Sequence, residues 1–185
     1  VPVVEGDVPI LRTDRLPAGS IVLDMPGAVG VQAPFQTVAS PASPAGLALV
    51  LPEGHGDKLV CAGRGAFDIA VPQDAAYHLW LRCRWSDSCG NSLGVAFADS
   101  EPVTVGQDAV YDLWHWVDAG RFELPAGTTR LTLTEREDGI ALDQAMLCPD
   151  GGSFIPTGPI FSGRQASTGL RRFADSFDRS PGHGN

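Results

Sequence analysis

Apolar and polar residues alternate with a period of two through most of the chain, the signature of strands with one buried face. Between Tyr77 and Trp85 (YHLWLRCRW), Tyr77, Leu79, Leu81, Cys83 and Trp85 fall on one face and His78, Trp80, Arg82 and Arg84 on the other. Tyr111 to Val117 (YDLWHWV) reads as a second aromatic strand, with Trp114 and Trp116 sharing a face and His115 opposite. Further strands are expected at Ile21 to Met25, Phe35 to Val38, Leu47 to Leu51, Lys58 to Cys61, Phe67 to Val71 and Leu93 to Phe97. Gly127 to Asp150 predicts two neighbouring strands joined at Glu135 to Gly139, with Asp138-Gly139 supplying the turn. Asp143 interrupts the second of them, and a carboxylate in an apolar strand must be paired, hydrogen-bonded, metal-bound or at an edge.

Roughly nine to eleven strands are expected, with turn signals about every 8–12 residues, which points to an all-β sandwich or barrel. Gly (22) and Pro (15) punctuate these runs rather than forming one low-complexity block. The 185 residues suit one well-buried domain with extensions. Its expected extent is 20–159, preceded by a Pro-interrupted N-terminal arm (1–19) and followed by a C-terminal tail (160–185). In the tail, Thr168, Leu170, Phe173, Ala174 and Phe177 have the spacing of a short helix.

The formal charge of -9 leaves no basic stripe for a nucleic-acid backbone, so nucleic acid is excluded as a partner. The charge is uneven: from Arg164 onward the tail carries about +2 and the remainder about -11. No apolar run is long enough for a membrane span, and no leader with a charged start opens the sequence, so an exported protein would here be in its mature form. Four cysteines without a Cys-x-x-Cys pair make a zinc site an unexpected use for them. Together with a single lysine in a turn-rich β chain, they fit an oxidising compartment and two disulfides. The expected pairs are Cys83 with Cys89, closing a short loop, and Cys61 with Cys148, although four cysteines allow three pairings.

Several segments in order resemble the galactose-binding-domain-like β-sandwich modules, carbohydrate-binding modules among them, of secreted bacterial polysaccharide-acting and cell-surface proteins. They are IVLDMP, Gly46 to Pro52, YHLWLRCRW, Asn91-Ser92, LWHWV, Leu124 to Thr128, Arg136 to Gly139, Leu142-Asp143 and Pro156 to Gly158, covering about Ser20 to Pro159. The resemblance implies a jelly-roll sandwich, often carbohydrate-binding through aromatic residues and often holding a structural calcium. For calcium it implies Asp24 and Asp143 as ligands, although Pro26 stands where a second acid of the first strand is expected. It also implies a secreted protein at a cell surface, in the extracellular space or in the periplasm.

For sugar stacking the candidates are Trp80, Trp85, Trp114 and Trp116, whose flat indoles suit pyranose faces, with Asn91 as a polar partner beside Trp85. For any one tryptophan core packing is the favoured reading, and Trp85 is the one most expected to be exposed. Glu135, Glu137 and Asp138 read as turn and edge charges paired with Arg130 or Arg136 rather than as an acid-base pair. No nucleophile-elbow, zinc-protease or phosphate-loop motif is present, so no reaction is assigned and the chain is read as non-catalytic. The expected function is polysaccharide or glycan binding. The second reading is a structural subunit of a surface assembly, with Leu170, Arg171, Arg172, Phe173 and Phe177 contacting neighbouring copies. A polysaccharide-acting enzyme stands third.

Overall fold

The strand that contains YHLWLRCRW runs from Ala75 to Trp85 in the middle of a sheet, with its inner face in the core and Trp80 and Arg82 of its outer face buried as well. The computed structural model of the protein describes residues 10–55, 63–149 and 153–162. In chain order the strands are β1 (Leu11–Arg12), β2 (Ile21–Asp24), β3 (Gly30–Gln32), β4 (Gln36–Ala39), β5 (Leu47–Leu51), β6 (Arg64–Val71) and β7 (Ala75–Trp85). They continue with β8 (Ser92–Phe97), β9 (Val103–Gly106), β10 (His115–Leu124), β11 (Gly127–Thr134), β12 (Ile140–Pro149) and β13 (Ile160–Phe161).

One sheet has the order β10-β7-β12-β5-β4, with β2 alongside the second half of β12; the other has the order β3-β6-β11-β8-β9. Every pairing within these two sheets is antiparallel. The sheets close on Leu49, Leu51, Phe67, Ile69, Tyr77, Leu79, Leu81, Trp85, Leu131, Leu133 and Leu142, all essentially without solvent contact. This is the expected all-β jelly-roll sandwich.

The stretch from Gly127 to Asp150 departs from expectation. β11 and β12 are not neighbours but lie in opposite sheets, and residues 135–139 cross the edge of the sandwich. Leu131 and Leu133 enter the core from one side, Ile140 and Leu142 from the other. Face-packed sheets stand about 10 Å apart, a gap five residues can span. Asp138 and Gly139 turn the chain as expected, but between layers.

The outer face of the first sheet is also apolar. Trp80, Met146, Cys148 and Ile160 form a second buried cluster, joined by Leu11, Leu16, Val22, Trp116 and Phe154. Residues 10–19 and 160–162, assigned by the sequence to the arm and the tail, therefore pack on the body, and β1 pairs with β13 in parallel. Gln144 anchors this cover. Its Nε2 donates to the Ile160 carbonyl (2.7 Å) and to Asp24 Oδ1 (2.8 Å), and its Oε1 accepts the Ile160 N–H (2.9 Å). Leu170, Arg171, Arg172, Phe173 and Phe177, the expected helix and the strand at Lys58 to Cys61 lie outside the described residues.

The expected Cys83–Cys89 disulfide is not formed: both are free thiols. Cys83 is an inward residue of β7, fully buried in the core, and burial pushes its thiol well up. Cys89 is exposed in a turn set by Asp87 Oδ1, which accepts the N–H groups of Cys89 (2.7 Å) and Gly90 (3.1 Å). Cys148 is likewise a free buried thiol, under the outer cover, while Cys61, its expected partner, lies outside the described residues.

Two outcomes follow from these contacts. Gln144→Leu keeps the bulk but leaves Ile160 and Asp24 without their amide partner, and should lower the unfolding free energy by about 1–3 kcal/mol in urea titrations. An unchanged midpoint would show that the amide adds nothing beyond packing. Brief alkylation of the native protein, followed by peptide mass spectrometry, should label Cys89 and spare Cys83 and Cys148; a cross-linked Cys83–Cys89 peptide would contradict this arrangement.

Candidate functional site

Trp85, Leu51 and Ile140 meet at one end of the sandwich, where Ser92 also faces Gly106. The connections 33–35, 52–55, 86–91, 107–114 and 135–139 therefore gather there. Loop 107–114 is fixed by one carboxylate. Asp108 Oδ1 accepts the Trp85 Nε1–H (3.1 Å) and the Val110 N–H (3.0 Å), and its Oδ2 lies 2.9 Å from His115 Nε2. Asn91 Nδ2 donates to the Asp108 carbonyl (2.8 Å), and the Asn91 and Trp85 carbonyls accept the N–H groups of Gln107 (2.7 Å) and Asp112 (2.8 Å).

The backbone is bent to match, with positive φ at Gly106 (101°), Gln107 (67°) and Asp112 (56°). A Cβ at Gly106 would stand 2.2 Å from the Asn91 carbonyl oxygen, so only glycine permits this approach. Burial opposes ionisation of Asp108. The Val110 N–H, His115 and Trp85 outweigh it and hold the carboxyl below its ordinary range.

The pinned loop carries side chains toward solvent. Leu113 is 64% exposed and Val110 38%, and Asp112 Oδ1 accepts from the exposed Arg84 Nη2 (2.9 Å). Trp114 is half-buried, with the Arg82 guanidinium 5.2 Å from its ring centroid. Two depressions open at the same end. One of about 490 Å³ is lined by Pro34, Gln36, Pro52, His55 and Glu135, and one of about 220 Å³ by Glu53, Arg84, Ser86 and Ile140.

Of the tryptophans named from sequence, Trp85 is wholly enclosed, because inward positions of β7 face the core, and its N–H belongs to Asp108. Asn91 is buried and committed to the same loop. Trp80 is buried against His78 (5.0 Å between centroids, 29° between planes), and its Nε1 has no hydrogen-bond partner among the described residues. Trp116 donates its N–H to the Gly158 carbonyl (2.9 Å), tying β10 to the outer cover. Trp114 remains as the indole with accessible surface and no such tie.

Sequence reasoning missed Asp108, Asp112, Leu113 and Arg84. YDLWHWV reads as continuous strand, but β10 begins only at His115, and Tyr111 to Trp114 belong to the loop. Aspartate at position 112 was the available signal, since Asp tolerates positive φ better than most residues.

The calcium expectation meets a different arrangement. Arg82 Nη1 donates to Asp143 Oδ2, and both side chains are buried. Burial pushes the Asp143 carboxyl up, to about 7, against the opposing pull of Arg82. Asp24 already accepts from Gln144, whose own oxygen is taken by Ile160. Calcium takes six to eight oxygens, and among the described residues no three His, Cys, Asp or Glu side chains cluster to hold a metal. Asp143 Oδ1 is buried without a hydrogen-bond partner among the described residues, but one uncommitted oxygen beside a bound guanidinium falls short of the donor set calcium takes.

Each of the loop acids has a hydrogen-bond donor, whereas Arg130 pairs with Asp68. Glu135 Oε2 accepts the Gly63 N–H (2.9 Å), Asp138 Oδ2 the Gly54 N–H (2.8 Å), and Glu137 Oε1 an N–H of Arg136 (2.7 Å).

Replacing Asp108 tests the loop. Asp108→Ala should cost about 1–3 kcal/mol near neutral pH, because buried donors lose their acceptor. Since the folded carboxyl titrates below its unfolded value, near ~4, its contribution is complete above that value and fades as pH falls through the folded one. Melting curves from about pH 2 to 7 should converge for the two proteins at the acid end; parallel curves would contradict the assignment.

No protein-family profile matches the sequence, and no curated protein matches it. Solved structures do share the fold. A Podospora anserina GH26-CBM35 β-(1,4)-mannanase superposes with a TM-score of 0.54 at 19% identity, covering 75% of this chain and 29% of the enzyme. A family 35 carbohydrate-binding module from Clostridium thermocellum gives 0.51 at 12% identity, covering 69% of this chain and 98% of the module. The C-terminal family 6 module of a marine laminarinase from Zobellia galactanivorans gives 0.51 at 15%, covering 70% and 98%. The chain thus spans under a third of the length of the mannanase and nearly the whole of the isolated modules. The architecture is that of a carbohydrate-binding-module-like β-sandwich.

Proposed function

We propose that the chain is a non-catalytic module that binds a polysaccharide or glycan at a secreted or cell-surface location, through the surface around Trp114. The observation that carries this reading is the company Trp114 keeps. A partly exposed indole stands beside a loop whose backbone is fixed from within and which presents Leu113, Asp112 and Val110 to solvent. A sugar needs an apolar surface for its C–H face and fixed polar groups for its hydroxyls. Trp114 and Leu113 supply the first, and the Arg84–Asp112 pair the second. Because the loop is ordered before a ligand arrives, little ordering entropy opposes binding.

The solved structures with this fold add a choice of ligand class, since those named above include a mannanase and a module of a laminarinase. The secreted location rests on that likeness and on the sequence. The loop acids are engaged with backbone N–H groups and Arg136, which favours a binding role over hydrolysis.

Affinity electrophoresis through gels containing β-mannan, β-1,3-galactan or β-1,3-glucan should retard the protein in at least one gel. Trp114→Ala should weaken that retardation about tenfold, equivalent to about 1.4 kcal/mol, with the melting temperature held within a few degrees. Arg84→Ala should weaken it less. Retention of full binding by Trp114→Ala would remove this surface from consideration.

A further inference from the structure

We propose that Arg82, gripped by Asp143, is a built-in cation that positions Trp114, so that the order of this surface depends on the pair and not on bound calcium. The inference deepens the proposed function and rests on it for the role of Trp114, but the ordering of the ring can be read without any ligand.

Three observations converge on the pair. A guanidinium only 5% exposed requires a counter-charge, since an uncompensated buried charge is severely unfavourable. The register of β12 against β7 supplies one. Leu142 faces Cys83 and Gln144 faces Arg82, leaving Asp143 as the extra residue of a β-bulge, which brings its carboxylate to Arg82. Gln144 stands directly across from Arg82, but its amide is occupied by Asp24 and Ile160. Arg82 therefore takes its counter-charge from Asp143 Oδ2, while Asp143 Oδ1 has no hydrogen-bond partner among the described residues.

The other side of Arg82 faces the Trp114 ring at 5.2 Å, within the range of a cation–π contact, which strengthens when the cation is desolvated. Trp114 precedes the first residue of β10, so no sheet ladder fixes its backbone. Its ring has no hydrogen bond among the described residues, unlike Trp116, whose N–H is held by Gly158. Arg82 is thus the contact that sets the orientation of this ring. It is a positioning residue, buried beneath the surface a ligand would meet.

The four indole N–H signals in a ¹H–¹⁵N spectrum report on this arrangement, with Trp114→Phe identifying the relevant one. In the parent protein, neither millimolar EDTA nor millimolar CaCl₂ should move the Trp114 signal or the melting temperature. Arg82→Met should shift or broaden the Trp114 signal, leave that of the core residue Trp85 in place, and reduce glycan retardation about tenfold; Arg82→Lys should restore part of each effect. Should Arg82→Met fail to fold, Asp143→Asn provides the same readout and is expected to displace the Trp114 signal. A Trp114 signal that follows calcium or chelator, or that is unmoved in both Arg82→Met and Asp143→Asn, would overturn the proposal. A protein that binds none of the glycans yet shows the indole shifts would instead sink the binding function and leave the positioning role standing.

Discussion

The outer face of the β7–β12 ribbon cannot be left to water, and much of the molecule is arranged around that fact. Trp80 and Met146 project from it as cross-strand partners, and a buried guanidinium and carboxylate lie further along the same ribbon. Leaving the aromatic and aliphatic surface exposed would forfeit about 25 cal/mol for each Å². The chain covers it with its own segments on either side of the sandwich: residues 10–20 run over one part, and 153–162 over another. Arg82 and Asp143 are also buried, and the guanidinium finds its counter-charge in that carboxylate.

That cover divides the aromatic residues into two kinds. Trp80, Trp116 and Phe154 are consumed in holding the terminal segments, while Trp114 stands just past the end of the covered zone, where the strand has given way to loop. Its accessibility is a matter of position along the strand, two residues from a tryptophan on the same face with the opposite fate. The loop beside it is stiffened from inside by Asp108, so the rim can be polar outside and well ordered without a large apolar core of its own.

The two-residue period of β7 carried the fold in the sequence, and its inward and outward faces are found as the alternation implies. The period says which residues share a face, not whether that face meets solvent, which is why Trp85 looked available beside its loop and is sealed in the core. The same limitation explains β11 and β12. Two alternating segments with a turn between them look alike whether they pair with one another or cross between sheets; what separates the cases is the contact each makes with strands remote in sequence. Asp143 was legible as a residue in need of a partner. Its partner, 61 residues away, was not, because the bulge that turns the carboxylate toward Arg82 leaves no mark in the pattern.

Gln144 narrows what this position can accept in the course of sequence drift. Its side chain acts as a free-standing peptide group, donating and accepting with Ile160 as a neighbouring strand would while also donating to Asp24. Glutamate has the shape but no donor when ionised, and would set a charge against both the Ile160 carbonyl and Asp24; leucine has the bulk but neither function; asparagine has the chemistry but is one methylene short. Both of its bonds to this segment go to the backbone of Ile160, so the hydrogen bonding tolerates any residue there but proline, while the buried Ile160 side chain still has to suit the cluster around Trp80 and Met146. The polar part of this docking is thus concentrated at one internal side chain, which reads the backbone of the segment it holds.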